Sequence, residues 1–240
     1  MSSLNYNRVI VKFSGEALAA GKCFGIDRDV LDYLTDEIIS LRELGLEIGI
    51  VVGGGNIYRG VDIASNGMDR VRADYIGMLG TVINGIALKD LFARKGINTK
   101  VMSAIRMEDV AEPMVIRKAR QYLKEGKITI FTCGTGRPYF STDSGAAVRA
   151  SEVEADLFIK GTKVDGVYDK DPEEYDGAQI YKSLDYQTAI DDKLGVMDTT
   201  AFNLCQENDI PIMVYNMTKS GQLKNSLVDQ NVGTLITRGE

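Results

Sequence analysis

The run GTGRPYFSTDSGAA, residues 134–147, decides how this chain reads. An apolar, strand-like stretch, Ile128-Thr129-Ile130-Phe131-Thr132, leads into it, and a helix-compatible stretch, Ala146-Ala147-Val148-Arg149, leaves it. Glycines free the backbone of the connecting loop, Pro138 stiffens it, and Tyr139 and Phe140 add two aromatic rings. Ser141, Thr142 and Ser144 suit a helix N-terminus, where unpaired N–H groups and the helix dipole attract anions. The run therefore admits two readings. One is an ordinary turn into a capped helix, and the other is a cradle for a phosphorylated small molecule.

Outward from this run, strands and helices alternate. Residues 8–13, 46–52, 98–102, 127–133, 155–160, 212–215 and 234–237 read as strands. Residues 27–44 carry Val30, Leu31, Leu34, Ile38 and Leu41 at helical spacing, with Gly45 as a stop. Residues 70–95 read as a long helix broken or bent near Gly77, Gly80 and Gly85; 112–124, 198–207 and 223–228 read as helices, and 161–183 as an irregular or hairpin-like segment. Strands separated by helices predict an α/β fold, a three-layer αβα sandwich with a mostly parallel central sheet. Ligands in such folds bind beyond the carboxyl ends of the strands. One domain spans residues 1–240, with an N-terminal lobe of about residues 1–150 and a C-terminal lobe of about 151–240.

Composition narrows the function. The net charge of −6 argues against nucleic acid as the main partner, because phosphate backbones need a basic face. No apolar run approaches the roughly 20 residues of a membrane span, and the first residues lack a signal-peptide core. Cys23, Cys133 and Cys205 are far apart and form neither a CxxC pair nor a zinc spacing, which fits reduced thiols in a cytoplasmic protein. The chain has no histidine, which removes Ser-His-Asp and Cys-His catalysis and histidine-ligated metals.

Four loops after buried strands carry the remaining chemistry. In VKFSGEAL, residues 11–18, Lys12 sits inside an apolar strand, where a lone charge is costly unless paired or facing a ligand. Ser14 and Gly15 follow with backbone amides. In VVGGGNIYRG, residues 51–60, three glycines allow close approach to a phosphate and Arg59 can pair with its oxygens. This loop is no dinucleotide fingerprint, and no P-loop occurs anywhere. The third loop is the opening run. In KGTKVDGVYDKDP, residues 160–172, Lys160 ends a strand much as Lys12 does, while Thr162, Tyr168 and Asp171 can frame a flat base and a ribose. Two strand-end lysines, glycine loops and carboxylates suit phosphoryl transfer, which relies on positioning and charge neutralisation. Asp143 and Asp198 can hold the lysines or a magnesium ion.

These motifs resemble the amino acid kinase superfamily, and within it the bacterial uridylate (UMP) kinases. The likeness runs from VKFSGEAL through VVGGGN, NGMDRVRADYIGMLGTVING, GTGRPYFSTDSGA and KGTKVDGVYDKDP to VMDTTAF and GTLIT. It implies transfer of a phosphoryl group from ATP, carried with Mg²⁺, to UMP, giving ADP and UDP in pyrimidine nucleotide biosynthesis. It implies Lys12, Phe13, Ser14, Gly15, Gly55, Arg59, Thr162, Tyr168 and Asp171 at ATP. Gly54, Asp74 (toward the ribose hydroxyls), Thr135, Gly136, Arg137, Pro138, Tyr139, Phe140, Ser141 and Thr142 fall at UMP, with no residue assigned to a metal directly. Lys12, Lys160, Asp143 and Asp198 fall at the catalytic centre. The family further implies a homohexamer activated by GTP and inhibited by UTP. A kinase of a carboxylate or carbamate acceptor and a non-catalytic nucleotide sensor are the alternatives. Tyr139 and Phe140 favour a planar base over the former, and the two lysines with Asp143 argue against the latter.

Overall fold

The computed structural model describes residues 5–58, 67–229 and 232–239. Arg59 lies outside the described residues. Nine strands form one sheet in the order β4-β3-β5-β2-β1-β6-β10-β11-β9. They are β1 (Arg8–Phe13), β2 (Glu47–Val52), β3 (Thr99–Ser103), β4 (Glu112–Pro113), β5 (Ile128–Thr132), β6 (Leu157–Thr162), β9 (Ser183–Asp185), β10 (Ile212–Asn216) and β11 (Thr234–Thr237). All neighbours pair in parallel except β10 with β11. Two short strands, β7 (Val167–Tyr168) and β8 (Ile180–Tyr181), make a separate antiparallel hairpin within the segment read as irregular.

Side chains of β1 alternate between two cores. Val9, Val11 and Phe13 pack toward α1 (Arg28–Arg42), α2 (Arg70–Arg94) and α7 (Gln222–Val228). Ile10 packs on the opposite face, toward α3 (Ile116–Lys124), α4 (Thr142–Val153), α5 (Tyr186–Asp191) and α6 (Thr199–Glu207). The period of two then fixes Lys12 on the α4 face, next after Ile10. The same count along β6 puts Phe158 and Lys160 on that face. The three layers thus bring both lysines to the helix that follows the opening loop.

Two expectations need correction. Arg70–Arg94 form one unbroken helix, α2. Two of its glycines serve close packing instead: a methyl on Gly85 would lie 2.7 Å from Thr132 Cγ2, and one on Gly80 would lie 3.1 Å from the Gly54 carbonyl oxygen. The helix read at 112–124 begins only at Ile116, because Glu112 and Pro113 pair with Met102 and Ser103 as β4. A residue before proline is biased toward extended backbone, and Pro113 enforces that here. One further difference concerns length: α2 is long and apolar enough to cross a membrane by composition. It packs against β2, β3, β5 and α1, with Leu88, Leu91 and Phe92 in the core.

Candidate active site

The carboxyl ends of β1, β2, β5 and β6 open onto two cavities of about 590 and 610 Å³. Both fall within the range of small-molecule sites, roughly 300–1,000 Å³. Lys12, Ser14, Lys160, Thr162, Tyr168 and Asp171 line the first. Gly54, Gly55, Asp74, Thr135, Arg137, Phe140, Ser141 and Thr142 line the second. Gly55 thus lies on the second cavity, apart from Ser14 and Lys12. Phe13 is wholly buried in the core, and Gly15 lines neither cavity. A methyl on Gly15 would sit 2.5 Å from the Gly53 carbonyl oxygen, so its absence lets the loops after β1 and β2 touch.

Asp143 stands between the cavities, in the first turn of α4. Lys12 and Lys160 are register partners across β1 and β6. The Lys12 ammonium lies 2.9 Å from Asp143 Oδ1 and the Lys160 ammonium 2.5 Å from Oδ2. Each lysine is only 8% exposed. The two contacts differ. Lys160 donates aligned hydrogen bonds to Asp143 and to the Val196 carbonyl, leaving one N–H. Lys12 meets Asp143 alone among the described residues and faces the first cavity. Burial pushes the Asp143 carboxyl upward, but the two ammoniums outweigh it and hold Asp143 below the usual carboxylate range. Burial also lowers the Lys160 pKa from that of an ordinary lysine; Asp143 opposes this and Lys12 adds to it. Both ammoniums line the first cavity, with Asp143 between them and the Asp198 carboxylate acting on Lys160 from farther off.

Asp198 plays a different part from the one the sequence suggests. It pairs with neither lysine. Its carboxylate caps α6 through the Ala201 amide at 3.0 Å, and accepts from Ser144 Oγ at 2.7 Å and from Ser141 Oγ. Ser141 Oγ in turn accepts from the Ser144 amide at 3.0 Å as the N-cap of α4. Asp198 therefore locks the two helix starts together and presents α4 toward the second cavity.

The opening loop is held by α2. Cys133, Gly134, Gly136 and Tyr139 all adopt positive φ. The Tyr139 amide donates to Asp74 Oδ2 at 2.8 Å, Arg70 Nε donates to both Asp74 oxygens, and the Arg70 guanidinium lies over the Tyr139 ring. Asp74 thus already carries protein partners. Tyr139 itself is 68% exposed, and neither it nor Gly136 nor Pro138 lines the second cavity. Arg137 lines that cavity and forms no ion pair among the described residues.

On the first cavity, the Thr162 hydroxyl turns to the carbonyls of Val164 and Tyr215. Asp171 Oδ1 accepts from the Glu173 amide at 2.9 Å, the turn contact that such a residue makes on its own. Two α2 residues that sequence reasoning passed over complete the second cavity's frame. Thr81 Oγ1 accepts from the Cys133 amide at 2.7 Å, and Asn84 donates to the Gly53 carbonyl at 2.7 Å. With Asp74 and Gly77 they sit at helical spacing on one face, and polar groups there in an apolar helix were the available signal.

No three carboxylates or thiols converge on a common point among the described residues. Both Asp143 oxygens lie against ammoniums. The described residues therefore offer no metal cage of their own and do not fit a resident ion.

The amino acid kinase family model matches residues 7–216. The chain belongs to the amino acid kinase family. It is 52% identical over 217 residues to a uridylate kinase of Aliarcobacter butzleri, spanning 90% of this chain and 92% of that one. Among solved structures, UMP kinase from Bacillus anthracis superposes with a TM-score of 0.95 at 36% identity, over 98% of this chain and 97% of that one. UMP kinase from Ureaplasma parvum superposes with a TM-score of 0.91 at 37% identity, over 96% and 98% of the two chains.

Proposed function

We propose that this chain is a uridylate kinase that transfers the γ-phosphoryl group of ATP to UMP, giving ADP and UDP. One observation carries the assignment of the site: two buried ammoniums on the first nucleotide-sized cavity are ordered by Asp143, whose neighbour Thr142 lines the second cavity of similar size. The first cavity, in the C-terminal part (about 151–240) with the β1 loop, takes ATP. The second, in the N-terminal part (about 1–150), takes UMP. Lys12, held by Asp143 alone and facing the first cavity, meets the transferring phosphoryl group from the donor side. Lys160, fixed by Asp143 and Val196, neutralises charge as it crosses. Such preorganised charge stabilises a transition state without reorganising at the moment of reaction. Asp143 holds both lysines and Asp198 fixes the start of α4, whose free amides at Thr142 and Asp143 suit the acceptor phosphate.

Magnesium is taken to enter as part of the MgATP substrate, and no step above passes through it. GTP activation, UTP inhibition, a cytoplasmic place in pyrimidine nucleotide synthesis and a homohexamer complete the proposal. Tyr75, Leu79, Ile83 and Ile86 support self-association, since they form an exposed apolar stripe along α2. ADP release is measured with ATP, Mg²⁺ and a panel of UMP, CMP, dUMP, aspartate and acetylglutamate. Turnover with UMP is expected. Phosphorylation of an amino acid but not UMP would overturn the assignment.

A further inference from the structure

Asn56 and Asn84 are both buried, at 1% and 0% exposure. Neither belongs to the phosphate-binding or catalytic groups above. Asn56 Nδ2 donates to Asn84 Oδ1 at 2.9 Å, and Asn84 Nδ2 donates to Asn56 Oδ1 at 2.7 Å. The two amides thus close a ring on each other, as paired nucleobases do. Each keeps one N–H, and each spends it on a backbone carbonyl. Asn84 bonds Gly53 O at 2.7 Å, while Asn56 bonds Gly25 O at 2.9 Å. All four N–H groups are used, so only asparagine at both positions satisfies this pattern.

The bond to Gly53 lies under the glycine loop. The Gly53 amide donates to Phe13 O at 3.0 Å, and its carbonyl is caught between Asn84 and the bare Cα of Gly15. Gly54 O accepts from the Ile57 and Tyr58 amides. That leaves the amides of Gly54 and Gly55, which donate to no protein atom among the described residues and belong to residues lining the second cavity. Peptide planes are rigid, so fixing the Gly53 carbonyl fixes the Gly54 N–H across the same bond.

We propose that the Asn56–Asn84 amide pair is a positioning element of the acceptor cavity, aiming the Gly54 amide at the acceptor. This rests on the reading of that cavity as the UMP side. Asn84→Asp keeps the shape and removes both donors. The expected result is a rise in KM for UMP of about tenfold, the scale of one lost hydrogen bond, with KM for ATP within about twofold of native. Relative to native, the UMP defect shrinks as pH falls from 8 to 6, because a buried carboxyl takes up a proton and regains one donor. A purely structural role would instead move the KM values for UMP and ATP together. The double variant Asn56→Leu with Asn84→Leu removes the pin while leaving no unpaired amide side chain, and is expected to show the UMP defect without the pH dependence. Unchanged KM for UMP, parallel rises in both KM values, or failure of both variants to fold would overturn the proposal. Absence of UMP turnover in the native enzyme would instead fail the functional reading. The pair is then tested against whichever acceptor the substrate panel identifies.

Discussion

The two cavities are nearly equal in volume but are built from different material. The second is lined by four glycines (Gly54, Gly55, Gly77 and Gly134), by the start of α4 and by part of a loop with positive φ at four positions, and Asp74, Thr81 and Asn84 pin its loops to α2. The first is lined mainly by the segment from Lys160 to Glu173 and the turn at Asp192–Val196. Backbone groups held by buried hydrogen bonds lose little freedom when they bind, whereas exposed side chains must be ordered anew. On the proposed reading, this difference predicts selectivity at the second cavity, the acceptor side, and tolerance at the first. Between them the two lysines repeat the contrast, Lys160 anchored at two points and Lys12 at one.

Gly54→Ala breaks the acceptor side most sharply. Its methyl would lie 2.2 Å from the Gly77 carbonyl oxygen, backbone against backbone. Overpacking of this kind costs about 1–3 kcal/mol. We expect a lower Tm and a KM for UMP raised about tenfold, with KM for ATP within about threefold of native. Equal effects on both KM values would dissolve the contrast between the cavities.

The pH profile sharpens the account of the centre. The Lys160 pKa is lowered mainly by burial, so its ammonium loses its proton before pH reaches the ordinary lysine value. kcat is expected to fall there on the alkaline side. Over the same window this group alone makes the fold more stable as pH rises, because the unfolded chain binds more protons. Asp143 has a lowered pKa, so its contribution holds above the ordinary carboxylate value and is lost as pH falls below it. A kcat that stays flat up to the ordinary lysine value would contradict the role of Lys160.

The smallest effect belongs to the donor loop. Asp171→Ala removes an exposed turn contact, and its KM for ATP is expected to rise by no more than about fivefold, the scale of one exposed polar contact. KM for UMP stays at its native value in steady-state assays.

Much of this was legible in the chain. Alternating strands and helices gave the layers, and counting by twos along β1 and β6 places both lysines on the α4 face. The glycine loops pointed to the strand ends. The sequence did not disclose which carboxylate holds the lysines. Asp143 and Asp198 both precede or open helices after loops, and only the third dimension separates an ion-pair hub from a double helix cap. Thr81 and Asn84 were hidden for a related reason. A polar residue in a long apolar helix looks like a minor interruption until its partner, a carbonyl or amide on a distant loop, is in view. Pro113 misled in the other direction, since the helical pattern of 112–124 continues through a residue that tertiary pairing makes a strand.

The central claim is that charge at Lys160 serves the crossing of the phosphoryl group and not the binding of either nucleotide. Lys160→Met tests it when equilibrium binding of ATP and UMP is measured on the same preparation as single-turnover transfer. The account predicts both dissociation constants within about threefold of native and transfer slower by at least about 100-fold, the scale of one lost preorganised electrostatic group. Transfer at near-native rate, or a slow rate explained entirely by lost ATP binding, would contradict it.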